Sequence, residues 1–213
     1  MIGPRRSELR RVVLAISGAS GIVIGLRLAE VLSSKSIEVH AVVSENALRV
    51  AETECVSREW FLEKLSRFVK ALYFENSWES PLSSSSFLVD ACIAAPLSIK
   101  SAALLALGIH ENLLLRALGN CIRLRRPVVA VIRECPLGVA ELRTLLNLAE
   151  LGVAIVPAVI GFYTKPQGIK DLVDFIVGKV LDVLGIENDL YPRWGFSDAR
   201  IARTRDPCLD LYG

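Results

Sequence analysis

A junction near the start of the chain constrains its fold more than any other feature. The continuously apolar run Val12–Ile16 gives way to Ser17-Gly18-Ala19-Ser20-Gly21, and an apolar-periodic segment begins at Ile22. An uninterrupted apolar run is what a parallel strand covered on both faces requires. Small residues and glycines after such a strand let the backbone turn tightly and approach a ligand, and the next helix presents unpaired N–H groups to an anion. The stretch reads either as a phosphate cradle or as a tight strand-to-helix turn with no ligand. Its glycines, at 18, 21 and 25, match neither G-x-G-x-x-G nor the P-loop, which ends in Gly-Lys-Ser/Thr.

From this junction onward, apolar runs alternate with amphipathic segments. Residues 21–34 place Ile22, Leu26, Ala29 and Leu32 against Arg27 and Glu30 at helical spacing, and Glu38–Val43 is the next strand, completing a βαβ unit. Ser44 is expected to cap the following helix with Glu45 in its first turn, a role that fits better than that of a ribose-binding acid. Residues 56–80 form a mixed polar stretch with room for a helix and a short strand. A strand is expected over Phe87–Ala94, after a serine run (83–86) that reads as a loop. It leads into Ala95-Pro96-Leu97-Ser98-Ile99-Lys100-Ser101, where Ser98 caps another helix at the carboxyl edge of the sheet, the edge at which open α/β sheets bind ligands.

A helix is expected over Asn112–Arg126, and Asn112, Arg116, Asn120 and Arg123 share one face of it, either a binding face or a solvated one. The strand Val128–Ile132 ends in Arg133-Glu134, a forked cation and a carboxylate at the same edge. A helix through Leu151, a strand at Ala154–Val156 and a closing helix, Ile169–Leu184, complete the pattern, with Lys179 expected on the face opposite Phe175 and Ile176. The fold class is therefore α/β: a three-layer, Rossmann-like (flavodoxin-like) domain with a mainly parallel sheet. One domain spans 1–213, with a polar N-terminal extension over 1–10 and a C-terminal tail over 186–213.

Composition narrows the function. A net charge of +2 with scattered arginines argues against nucleic acid as partner. The 52% hydrophobic content calls for surfaces covered by helices or by other subunits. The five cysteines lack C-x-x-C spacing and read as reduced thiols of a cytoplasmic protein, forming neither a zinc site nor a disulfide. No secretory signal is evident. The apolar stretch 88–109 is interrupted by Asp90, Pro96 and Lys100, so it reads as a strand and a helix, with no membrane span.

Taken in order, the motifs resemble the UbiX-type flavin prenyltransferases from about Arg11 to Trp194. The resemblance is carried by Ile16–Gly21, Ala51-Glu52-Thr53-Glu54, Pro96–Ser101, Arg125-Arg126-Pro127, Arg133-Glu134-Cys135-Pro136-Leu137, Gly161-Phe162-Tyr163 with Pro166-Gln167, and Pro192-Arg193-Trp194. It implies transfer of the dimethylallyl group of dimethylallyl phosphate to N5 and C6 of reduced FMN, making prenylated FMN for a UbiD-type decarboxylase. By the same resemblance Gly18, Ala19, Ser20, Ser44, Ser98, Ile99, Lys100, Ser101 and Arg133 would hold FMN. Tyr163 and Lys179 would grip the prenyl phosphate, with Arg116, Arg123 and Arg133 near it, and Trp194 would help close the pocket. Ser20, Glu54 and Glu134 would stand at the reacting centre. Homododecamers with interfacial sites are implied as well, and the chemistry calls for no metal, in keeping with the lack of an Asp-rich diphosphate motif.

Three positions depart from the family pattern. Arg123 stands where lysine is usual and Lys179 where arginine is common, exchanging a fork and a point donor. Ser84-Ser85-Ser86 lacks the usual central glycine. Two other readings stay open at this point. One is an FMN-dependent decarboxylase, which would need a catalytic histidine from His40 or His110, both of which read better as structural. The other is a non-catalytic FMN-binding protein.

Overall fold

The computed structural model describes residues 9–195, so the expectations for 1–8 and 196–213 lie outside the described residues. Six strands form one sheet in the order β3-β2-β1-β4-β5-β6, and every pairing is parallel. The strands are β1 (Arg11–Ile16), β2 (Glu38–Val43), β3 (Ala71–Phe74), β4 (Ala91–Leu97), β5 (Val128–Ile132) and β6 (Val153–Pro157). The helices are α1 (Ile22–Ser34), α2 (Glu45–Glu54), α3 (Arg58–Ser66), α4 (Ile99–Ala106), α5 (Leu113–Arg123), α6 (Val139–Glu150) and α7 (Ile169–Leu184).

Strand periodicity sorts these helices into layers. Alternate residues of β1 point to opposite faces. Val12, Leu14 and Ile16 pack with α1, α2, α3 and α7, whereas Val13 and Ala15 pack with α4, α5 and α6. Both faces being covered explains why β4, β5 and β1 beyond its first residue, Arg11, are apolar throughout. The strand order reverses between β1 and β4, so the loops leaving their carboxyl ends diverge and open a crevice there.

Several local outcomes differ from expectation. The fourth strand runs over Ala91–Leu97 instead of 87–94. The Asp90 carboxylate accepts from the Arg10 and Arg11 backbone N–H groups, each at 2.9 Å, and fixes the entry to the strand. Pro96 is then accommodated near its end, where pairing with β5 shifts register. The helix expected over 112–126 is α5, with Asn112 outside it as the N-cap, accepting from Leu115 N at 3.0 Å. Within 56–80 the structure agrees with expectation: the helix is α3 and the short strand is the edge strand β3.

The cysteines require a correction. Cys92 and Cys121 form a disulfide, Cα to Cα 6.3 Å, joining β4 to α5, while Cys55 and Cys135 are free. Sequence spacing is a guide to local motifs. This pair is 29 residues apart and meets because α5 packs across β4. In the chain that follows α7, Tyr191 is buried against that helix. The apolar stretch 88–109 is indeed a strand and a helix, and among the described residues no helix is long and apolar enough to cross a membrane.

Candidate functional site

The crevice is built on Ser17, which is only 2% exposed. Its hydroxyl accepts from Ser98 N at 2.7 Å and donates to the Pro96 carbonyl at 3.1 Å, and its own N–H donates to the same carbonyl at 3.0 Å. One side chain thereby locks the turn after β1 to the turn after β4. Gly18 is required beside it, because a Cβ there would lie 2.4 Å from the Asn46 Cβ. Ser44 caps α2 as expected, accepting from Ala47 N at 3.1 Å, and its N–H donates to the Ile16 carbonyl at 3.0 Å. Ser98 caps α4 by accepting from Ser101 N at 3.3 Å and donates to the Ser101 hydroxyl at 3.0 Å. Gly18, Ala19, Ser20, Ser44 and Ser98–Ser101 are thus gathered at one edge. Ile99 is half-buried, and the Lys100 side chain turns outward to pair with Glu111 at 3.1 Å.

The cradle differs from a bare helix N-terminus. The Glu54 carboxylate, from the last residue of α2, accepts from Gly21 N at 2.8 Å and Ile22 N at 3.1 Å. These are the α1 donors that the sequence offers to a phosphate, and they are already occupied. A carboxylate at this position is favoured by the helix dipole. Glu54 is thereby fixed beside Ser20, which is exposed, and the Gly18–Ser20 turn is what remains to meet a ligand.

At the end of β5, Arg133 is half-buried and its Nε is buried with no hydrogen-bond partner among the described residues. Leaving a buried charged donor unpaired is costly, so the position fits an acceptor supplied by a ligand. A flavin nucleotide, with its phosphate and ring carbonyls, matches the donors gathered at this edge. Glu134 is exposed, and one of its oxygens accepts from Cys135 N at 3.3 Å.

The polar stripe of α5 faces the 80s segment. Arg116 Nε donates to the Ser83 carbonyl at 2.9 Å, Asn120 to the Leu82 carbonyl at 3.2 Å, and Arg123 to Asn120 Oδ1 at 2.5 Å. Arg116 and Arg123 therefore lie in the opposite layer from α7 and, among the described residues, are not joined to Lys179. Glu75, which the sequence did not single out, bridges two helix starts: its carboxylate accepts from Glu45 N at 2.9 Å and from Asn112 Nδ2 at 3.2 Å. Neither histidine stands at the crevice. His40 is in mid-strand on β2, 2.8 Å from Glu38, whose carboxyl is held low by hydrogen bonds from His40 and Arg11. His110 packs over Gly119, and burial, then Arg116 and Arg123, push its pKa down.

A second group forms around α7. The Tyr163 ring meets Phe175 at 6.0 Å and Trp194 at 5.3 Å, both edge-on, and Phe175 meets Tyr191 at 5.1 Å. Lys179 was expected opposite Phe175. It lies one turn on along the same face, with Nζ 5.3 Å from the Phe175 centroid and 4.7 Å from that of Tyr191, as i,i+4 spacing dictates. Gly161 and Gly178 make room, since a Cβ at either would lie within 2.6 Å of the Phe175 or Tyr191 ring. Asp182, also missed in the sequence, receives both guanidinium N–H groups of Arg193 at 2.6 and 2.8 Å, together with Asn188 and the Tyr191 hydroxyl. The signal for it was available, because Asp182 follows Lys179 by one helical turn and Arg193 belongs to a motif already noted.

The chain belongs to the Flavoprotein family, whose model matches residues 2–181. Within that family it is similar to flavin prenyltransferase UbiX of Saccharolobus solfataricus, 42% identical over 192 residues, which cover 89% of this chain and 94% of the relative. Among solved structures it is similar to AnUbiX (PadA1) in complex with FMN and dimethylallyl pyrophosphate, with a TM-score of 0.84 and 30% identity, covering 90% of this chain and 100% of that one. It is likewise similar to a dodecameric FMN-dependent UbiX-like decarboxylase from Escherichia coli O157:H7, with a TM-score of 0.82 and 30% identity over 87% of this chain and 100% of the other.

Proposed function

We propose that this chain is a flavin prenyltransferase that joins the dimethylallyl group of dimethylallyl phosphate to N5 and C6 of reduced FMN, yielding prenylated FMN for a UbiD-type decarboxylase. The observation that carries the reading is the pairing of two unlike groups. A crevice of turn amides and hydroxyls lies beside the orphaned Arg133 donor, and an aromatic cluster holds Lys179 without a carboxylate partner among the described residues. The first suits a flavin nucleotide, the second a prenyl phosphate.

Gly18, Ala19, Ser20, Ser44, Ser98–Ser101 and Arg133 hold FMN, which supplies the nucleophilic N5 and C6. Lys179 and the Tyr163 hydroxyl take the prenyl phosphate, where negative charge grows as the allylic C–O bond breaks and its electron pair passes to phosphate. The rings of Tyr163 and Trp194 face the allyl group, which becomes positive. The bond to N5 replaces the C–O bond, with the N5 proton leaving on the phosphate, and the bond to C6 requires a proton taken up by the dimethylallyl double bond and one given up by C6. Glu134 would exchange a proton at the phosphate or the flavin, and Glu54, fixed on the α1 amides, would stand with Ser20 at the reacting centre.

The separation of Arg116 and Arg123 from Lys179 within one chain supports a site completed by another copy. So does the exposed apolar stripe Val139, Leu142 and Leu146 on α6, which suits a homododecamer. A reaction that needs reduced flavin fits a cytoplasmic location. A histidine-dependent decarboxylation has no support here, because His40 and His110 are both committed elsewhere.

The test is to incubate the purified protein with reduced FMN and either dimethylallyl monophosphate or diphosphate and to follow the flavin mass. A gain of one five-carbon unit is expected, and unchanged FMN with both donors would refute the proposal.

A further inference from the structure

Lys179 and Asp182 lie one turn apart on α7, a spacing at which a lysine and an aspartate ordinarily pair across the helix surface. They do not pair here. Lys179 rests against the rings of Phe175 and Tyr191, while Asp182 is turned to the chain that follows the helix. Its Oδ1 accepts from Arg193 at 2.8 Å and from Asn188 at 2.9 Å, and its Oδ2 from Arg193 at 2.6 Å and from the Tyr191 hydroxyl. Both oxygens carry two donors each, which fills the acceptor capacity of a carboxylate.

We propose that Arg193, with Tyr191 and Asn188, is a positioning set that sequesters Asp182 and so keeps the Lys179 ammonium unpaired for the prenyl phosphate. This rests on the reading of Lys179 as a phosphate ligand. Aromatic faces attract a cation without neutralising it, whereas a carboxylate in their place would compete directly with the incoming anion. Arg193 itself stacks on the Tyr191 ring at 4.5 Å, and Tyr191 can seat against α7 because residue 178 is glycine. Trp194, the next residue, meets Tyr163, so the same anchor sets the far wall of the phosphate site. Burial raises the Asp182 pKa, but the hydrogen bonds from Arg193, Tyr191 and Asn188 outweigh it and hold the group below the ordinary range. A released Asp182 gives up the Arg193 bonds, but a carboxylate of ordinary pKa, about 3.9, is ionised at neutral pH and would be a charged competitor.

A purely mechanical staple between α7 and the chain beyond it would contain the same contacts, and the two roles separate in a double variant. In the FMN-loaded protein, affinity for dimethylallyl monophosphate is measured by calorimetry and KM by turnover, for Arg193→Gln, Asp182→Asn and the two combined. Arg193→Gln frees Asp182 to pair with Lys179, so both Kd and KM should rise about tenfold. Removing the freed carboxylate as well should return both to within about threefold of wild type, with FMN affinity unchanged throughout.

A single variant with unaltered donor affinity, or a double variant no better than the single, would overturn the inference. Should Arg193→Gln fail to fold, Asp182→Asn alone decides, since a tenfold loss of donor affinity there contradicts the competitor role. A wild-type protein that binds the donor without prenylating FMN would refute the proposed function while leaving this inference readable in Kd. One that binds no donor would remove both.

Discussion

The two halves of the candidate site are held by opposite means. The β1–β4 junction is a backbone structure: Ser17 is buried, its bonds run to main-chain groups of Pro96 and Ser98, and Glu54 closes the α1 terminus through backbone N–H groups. The α7 half is a side-chain structure of four rings, a lysine, and an aspartate bound by an arginine from beyond the helix. A backbone-built crevice is fixed by the fold and suits a rigid, flat ligand. A charge network can be rebalanced by single substitutions and suits control of a small anion.

The largest effect is expected where the halves meet the chemistry. Glu134→Gln and Tyr163→Phe should each lower turnover by about a hundredfold or more while FMN stays bound, as single-turnover kinetics and a flavin titration would show. Full activity in both would remove the assignment. Next comes the strut between the halves, where Arg27 of α1 donates to Asp174 of α7 at 2.7 Å, with Asp174 only 4% exposed. Asp174→Ala should cost about 2–3 kcal/mol in urea unfolding, because the half-buried Arg27 guanidinium is then left with Glu30, at 2.7 Å, in place of two carboxylates. A cost near zero would mean that α7 is held without it.

Ser17→Ala should be milder, about 1–2 kcal/mol of stability and a weaker hold on FMN, because the Ser98 amide loses its buried acceptor.

The smallest effect is in acid. At both Asp174 and Asp182 burial raises the pKa, and the bonds from Arg27 and Lys170, or from Arg193, Tyr191 and Asn188, outweigh it, so both folded values are lowered. Their stabilisation is fully present above the unfolded carboxylate value of about 3.9 and is lost as pH falls through the folded values. Asp174→Asn should flatten that acid limb in a thermal-melt series, and an unchanged limb would count against the pair.

The same contrast explains what the sequence disclosed. The layers, β1, β2, β5 and α7, and the caps at Ser44 and Ser98 were legible because they rest on local periodicity and on capping chemistry within a few residues. The carboxyl-edge cluster followed from the alternation of strand and helix. What escaped depends on contacts distant in sequence. Glu54 reaches the α1 terminus across 33 residues. Cys92 finds Cys121 through the packing of α5 on β4. Arg116 and Arg123 share a face, as predicted, but that face is turned to the 80s segment. Asp182 and Arg193 are close in sequence, yet a helix C-terminus separates them and their pairing depends on how the chain turns back after Gly185, which has a φ of 72°.

The division of the site is tested most directly by measuring FMN affinity and the KM for dimethylallyl phosphate side by side in Ser17→Ala and Lys179→Met. The account predicts a crossed result: Ser17→Ala weakens FMN about tenfold with KM for the donor unchanged, and Lys179→Met raises that KM at least tenfold with FMN affinity unchanged. Variants that shift both quantities together would contradict it.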